Sequence, residues 1–375
     1  MRESSQYYKK LRLGELPVLA VIEIIKSMRL KDQINLALSS KKYAAVYEYT
    51  CLDLGKNTTL CCGNKANVNE IDKISYQELS KWLATGNSAT PLQRLVCLFE
   101  KINTIFRSGD HYLFIYMNEM KNASVKDVID VPMFRNCENI ALVRGEIESD
   151  DLRLVLNMAM HLKYFRILGT KIPSDFQHEK AFSIEHIYYE DANWVKLENL
   201  LTMRNNTYVT LGTTSLTYSD FNKFLKFWVN SEVDMFFGLY ITMEGNVDPQ
   251  VLFDGLLRLD SARFNVPAYF IISDSTVVNR KNPLLFVHPI HGKLKFFAFP
   301  RTDRWFHLNE DQNSSTEKKK YQSEFDALRT LEKQAELRKK MKGIENPEQD
   351  DMQRMKELDM QLNELLAEGK FTVGE

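Results

Sequence analysis

The residues whose types suggest chemistry fall into three groups in this 375-residue chain. His288 and His291 form an H-x-x-H, with His307 further on. Cys61 and Cys62 are adjacent, with Cys51 upstream. Acidic pairs stand at Asp150-Asp151 and Glu190-Asp191. Positions three apart on a strand point to opposite faces, so the two histidines converge only if a turn bends them together, and a metal would need a third ligand and supporting hydrogen bonds. The cysteine pair lacks a second pair at zinc spacing. The acidic pairs fit helix caps and first-turn charges, where the helix dipole favours them. Neither "GxxxxGK[ST]" nor "GxGxxG" occurs, and no "GxSxG" elbow is present. The sequence therefore predicts no catalytic residue, no metal and no cofactor.

Stepping from side chains to the elements that hold them, composition fits a folded chain: 44% apolar and 26% charged, with a formal net charge of -1, close to globular averages. Such a balance gives no basic field for nucleic acid. The five cysteines, Cys51, Cys61, Cys62, Cys97 and Cys137, are too sparse for a disulfide framework and read as reduced thiols. No stretch has the roughly 20 apolar residues of a membrane span or the form of a signal peptide. A cytoplasmic or nuclear location is expected, without a membrane or nucleic-acid partner.

Residues 10–50 are more apolar than so short a segment can bury alone. Pro17 suits a first helical position. From Val18 to Met28 only Glu23, Lys26 and Ser27 are polar, and at 100° per residue they share one arc, leaving an unusually wide apolar side. Lys31 and Asp32 break the run, and Asp32 suits an N-cap. A second helix carries Ile34, Leu36, Ala37 and Leu38, and Tyr43, Val46 and Tyr47 follow in a third.

Between 111 and 243 a β-type run alternates with an amphipathic helix. Strands are expected at 111–117, 139–145, 163–169, 183–191, 207–213 and 236–243, and helices at 149–160, 194–203 and 219–229. Ser149 or Asp150 caps the first helix and Ser219 or Asp220 the last. One strand and one helix every 20 to 29 residues is the period of leucine-rich-repeat solenoids, in which neighbouring units stack into a continuous core. A conventional α/β domain is the alternative. Tyr188, Tyr189, Trp194, Phe236, Phe237 and Tyr240 are the aromatics expected to be partly exposed near the strand face.

The first segment, "LPVLAVIEIIKSM" with "INLALSSKKYAAV", resembles an F-box. Leu16 and Pro17 match its opening, Ile22, Ile25 and Met28 its first helix, and Leu36, Leu38 and Ser39 its second, followed by Lys41 and Lys42. Tyr43 stands near the position where many F-boxes carry a Trp. The resemblance implies that these residues dock on a Skp-family adaptor and through it a cullin, by a helix-in-groove contact. "WVKLENLL" and "LTYSDFNKFLKFWVN" are similar to the F-box-associated domain of the second type, known from a large nematode family. Here Asn230-Ser231 stands for the family's Asn-Gly and Phe227 for its His.

Around these segments, 51–110 is read as a connecting piece packed on the repeat region, with a helix at 90–106. Strands at 268–274, 283–300 and 304–308 form a β-rich cap, with a hairpin turn at His291-Gly292. After a polar linker at 309–320 come helices at 318–342 and 348–367. Met355, Leu358, Leu362 and Leu365 line the seam of a helical hairpin in the second. Arg338, Lys339, Lys340 and Lys342 read as a solvated face partnered by Glu332 and Glu336.

The expected layout is thus α/β: a three-helix F-box at 10–50, a connecting segment at 51–110, a leucine-rich-repeat-like β/α solenoid at 111–255, a β-rich cap at 256–308, and linker plus helices at 309–375. The expected function is a non-enzymatic substrate receptor of a cullin-based ubiquitin ligase, with an unspecified protein target. A solenoid scaffold without ubiquitination is the alternative.

Overall fold

The computed structural model describes residues 110–375 apart from 121–123, 136, 159–160, 244, 246, 262–266, 278, 291, 301–320, 343, 345–347 and 375; before residue 110 it describes 52–53, 57–62, 93, 96–97, 100 and 106–107. The helical module at 10–50, with Leu16, Pro17, Ile22, Ile25, Met28, Leu36, Leu38 and Ser39, lies outside the described residues, as do His291, His307, the 304–308 strand and the 309–320 linker. The chain forms two compact units, Met1–Ala141 and Leu142–Glu375.

In the first unit, the strands are β1 (Leu52–Asp53), β2 (Asn57–Cys62), β3 (Phe106–Arg107) and β4 (Asp110–Tyr116). β1 pairs with β3 and β2 with β4, both parallel. Leu113 and Ile115 share one face of β4 and are buried, as strand alternation requires. Helix α1 (Val125–Ile129) opens on a capping box in which Ser124 and Asp127 exchange hydrogen bonds. Cys137 is buried, and its thiol donates to the Asn139 carbonyl at 3.2 Å. Burial pushes this thiol's pKa up, so it is a packing group rather than a reactive one. Strand β5 (Asn139–Val143) contains the boundary between units.

The second unit begins with α2 (Ser149–Asn157), then β6 (Tyr164–Leu168), β7 (His186–Asp191), α3 (Leu197–Leu200), β8 (Asn206–Thr213), α4 (Tyr218–Asn230) and β9 (Phe236–Thr242). β6, β7, β8 and β9 are neighbours in that order and parallel. Parallel strands cannot be joined by a tight hairpin; the chain must cross back over one face of the sheet. Residues 169–185, which hold a short 3-10 turn at Glu179–Phe182, make the first crossing, and the segments holding α3 and α4 make the next two.

Two expected caps are corrected here. Glu148, not Ser149 or Asp150, is the N-cap of α2, and it makes no side-chain cap bond. Thr217 caps α4, and Asp220 is the third helical residue that completes the box. A Thr-x-x-Asp box satisfies two orphan N–H groups at once, which a cap two or three residues later would leave open.

After α5 (Pro249–Leu252), the strands β10 (Leu259–Ser261), β11 (Ala268–Ile272), β12 (Leu284–Ile290) and β13 (Lys293–Phe299) follow. They pair antiparallel, and β13 also pairs antiparallel with β9. The β12–β13 hairpin, with Gly292 at φ +70° before β13, thereby covers the edge of the last parallel strand. Helices α6 (Gln322–Met341) and α7 (Gln349–Gly369) lead to β14 (Phe371–Val373), which pairs with β10.

The unit has a core on each side of its strands. On one side Phe165, Ile167, Ile187, Tyr189, Val209, Leu211, Leu239 and Ile241 are buried. Phe224 of α4 stacks on Phe236 at 6.0 Å and meets Phe296 of β13 edge-on at 6.4 Å. On the other, Phe325, Leu328 and Leu331 of α6 and Leu362 of α7 pack with Phe270, Phe286 and Phe299. Each such side chain, fully buried, contributes about 1.5–3 kcal/mol of transfer free energy. Leu358 and Leu362 of the expected seam are buried; Met355 and Leu365 are partly so.

The basic cluster has different partners from those expected. Glu332 pairs with Arg329 and Lys340 with Asp351 of α7, because the second helix brings a carboxylate within reach of Lys340. Among the described residues no helix is long and apolar enough to cross a membrane.

A candidate binding face on the parallel strands

Alternation along each parallel strand turns the residues between the buried ones to the opposite face. Register then aligns them in rows. Tyr164 lies opposite His186, His186 opposite Tyr208, Tyr208 opposite Gly238, and Gly238 opposite Phe297. The next row runs Arg166, Tyr188, Thr210, Tyr240, Lys295.

The rings in these rows touch. Tyr164 and His186 stack at 4.1 Å with planes 7° apart, and His186 and Tyr208 at 5.7 Å. Tyr208 meets Phe237 edge-on at 5.6 Å and lies 6.2 Å from Tyr240, which meets Phe297 edge-on at 5.4 Å. The Lys295 ammonium sits 6.0 Å over the Tyr240 ring. Tyr164, His186, Tyr208, Phe237, Tyr240 and Phe297 are all half-buried, so the strip presents ring faces and edges while anchored below.

Gly238 makes the strip continuous. A Cβ there would lie 2.7 Å from Tyr208 Cδ1 and 2.9 Å from Cε1, so one edge of the tyrosine ring occupies the space beside the glycine. Electrostatics follow from burial. The His186 imidazole is held below its ordinary pKa by desolvation, only partly opposed by Glu185 beside it, whose carboxylate is 3.5 Å away. Burial pushes the Tyr240 phenol up to about 12, with Tyr208 adding to it. Near neutral pH the His186 ring and the Tyr240 phenol are therefore both uncharged, with Arg166 and Glu190 exposed beside them. Aromatic rings with polar tips and a charged surround are the composition of interface cores.

Of the six aromatics expected on this face, Tyr188, Phe237 and Tyr240 are partly exposed there. Tyr189, Trp194 and Phe236 are buried instead. Tyr189 alternates to the helix side, where its hydroxyl donates to the Ala181 carbonyl at 2.6 Å. Trp194 follows β7 and packs on Tyr189 at 5.2 Å and Phe176 at 5.4 Å. Tyr164, His186 and Tyr208 were not anticipated. Their signal was positional: they recur 22 residues apart, at 164, 186 and 208.

Of the residues considered for metal chemistry, His288 is engaged otherwise. His288 is half-buried, its Nδ1 3.2 Å from the Pro267 carbonyl and its ring stacked on Phe286. Cys61 and Cys62 lie in β2. Among the described residues no group of three or more His, Cys, Asp and Glu side chains is placed to hold a metal ion.

These observations define a mixed α/β protein with a large sheet, whose parallel strands carry an aromatic strip on the face away from their crossing helices. Residues 175–235 match a family model described as F-box associated. That span includes β7, α3, β8 and α4, and thus His186 and Tyr208. No curated protein and no solved structure matches the chain.

Proposed function

We propose that this chain is the substrate-receptor subunit of an SCF-type ubiquitin ligase. The observation that carries the reading is the match of residues 175–235 to an F-box-associated family, together with the F-box-like pattern of 10–50 on the same chain. In this reading Leu16, Pro17, Ile22, Ile25, Met28, Leu36, Leu38 and Ser39 dock on a Skp-family adaptor, which links the chain to a cullin. The parallel strands are a leucine-rich-repeat-like arc, and the strip from Tyr164 to Phe297 receives the protein target. The receptor carries no catalytic residue of its own. It raises rate by proximity, holding target lysines near a ubiquitin-charged enzyme, since a fixed geometry replaces a bimolecular encounter. The site of action is cytoplasmic or nuclear.

The test is recovery of a Skp-family adaptor on the full chain, compared with the double variant Leu16→Ala, Ile25→Asp. The reading expects recovery on the parent and its loss in the variant; equal recovery on both would sink it.

A further inference from the structure

A cleft of about 480 Å³ lies between the loop after β11 and helix α6, and the receptor reading makes no use of it. Its lining carries Arg280, Lys281, Arg329 and Lys333 against the single carboxylate of Asp326. Arg329 is already neutralised: its Nη1 donates to Glu332 at 2.6 Å. Glu332 also accepts the Ser275 N–H at 2.8 Å, which fixes it to the loop. Two further carboxylates lie close: Asp234 accepts the backbone N–H groups of Lys281 and Asn282, and Asp274 is drawn to Arg329.

Arg280 is the unusual member. It is 8% exposed, and its guanidinium lies 3.8 Å over the Trp228 ring. Its Nη1 donates to the Trp228 carbonyl and its Nη2 to the Asn282 carbonyl. Among the described residues no carboxylate bonds it, and its buried Nε–H has no acceptor. A buried charge without a counter-ion is costly, and burial draws this group's pKa down to about 10 despite the attraction of Asp234. The side chain is thus held rigidly, by ring and carbonyls, in a place that wants an anion. Lys281 and Lys333 are exposed at the rim, and among the described residues neither is bonded to a carboxylate.

We propose that this cleft binds an organic phosphate monoester, its phosphate against Arg280 with Lys281 and Lys333 closing over it and its organic part on Val277, Pro283 and Phe325. The several oxygens of a phosphate dianion can accept from Arg280 and both lysines together, which the two of a single carboxylate do less well. The volume, within the usual range for small-molecule sites of roughly 300–1,000 Å³, leaves room beyond the phosphate for apolar contact. The proposal is independent of the ubiquitin-ligase reading.

Phenyl phosphate titrated into the full chain at constant ionic strength, followed by calorimetry, tests it. Saturable binding is expected, about tenfold or more tighter than phenylacetate and tighter than inorganic phosphate. The exposed pair Lys281→Glu, Lys333→Glu should weaken it about tenfold or more while circular dichroism is unchanged. Arg280→Gln should abolish it. Because that buried change can unfold the loop, the lysine pair is the deciding variant. Absence of saturable binding, equal affinity for phenylacetate, or an unaffected lysine variant would each overturn the assignment.

Discussion

Replacing Gly238 by alanine asks whether the aromatic strip is a coupled structure or a row of independent side chains. In a strand, Gly→Ala by itself is favourable by roughly 0.5–1 kcal/mol, because glycine loses more backbone freedom on folding. Here the new methyl meets the Cδ1–Cε1 edge of the Tyr208 ring at 2.7 Å, a contact that side chains do not sustain. Tyr208 must swing away from His186 at 5.7 Å, Phe237 at 5.6 Å and Tyr240 at 6.2 Å. Aromatic pairs are worth about 0.5–1.5 kcal/mol each beyond their area; these rings are half-exposed, so the low end applies, and their combined loss is about 1.5 kcal/mol. Gly238→Ala should therefore destabilise by about 0.5–1 kcal/mol net. In a Tyr208→Ala background the obstacle is gone, and the same change should be neutral or stabilising by up to about 1 kcal/mol. The double-mutant cycle should show a coupling of roughly 1.5–2 kcal/mol. Urea unfolding reads it as shifts in midpoint at constant slope. Additive effects, or a Gly238→Ala chain more stable than the parent, would refute the reasoning.

Three further outcomes follow from the same geometry. Thr217→Ala removes one half of the α4 capping box and should cost about 1 kcal/mol, again read from the urea midpoint. Leu328→Ala, at a fully buried position under α6, should cost about 2–5 kcal/mol and raise hydrogen exchange across α6 and α7 more than across β6 to β8. Burial holds His178 and His186 below the ordinary imidazole value of 6.5. The Lys180 N–H donates to His178 Nδ1, which also requires the neutral ring. The unfolded chain then binds more protons than the folded one just below pH 6.5, so stability is full above that value and falls as pH drops through it. His186→Gln should flatten that slope in thermal melts taken at successive pH values.

Much of this fold was readable because local chemistry and tertiary need agree. The runs at 236–243 and 283–300 are rich in β-formers and became β9 and the β12–β13 hairpin. The alternation of strand and helix forced parallel pairing through crossovers. Where reading failed, the deciding information was non-local. Tyr188 and Tyr189 are chemically alike, and only the pairing register decides which is buried. The α4 cap was misplaced because Ser219, Asp220 and Thr217 are all competent caps, and the choice rests on where the backbone turns. β10 and β14, three residues each, owe their strands to pairing between distant parts of the chain. The strip itself was visible only as a 22-residue recurrence of ring-bearing residues at equivalent strand positions. The composition of any one strand does not reveal it.

The receptor account rests most directly on contact between this chain and an adaptor. Purified full chain titrated with a purified Skp-family adaptor in a calorimeter measures it without intermediaries. The account predicts saturable one-to-one binding that Leu16→Ala, Ile25→Asp abolishes and Tyr208→Ala leaves unchanged. No binding by the parent chain, or binding that the strip variant removes and the N-terminal variant does not, would contradict it.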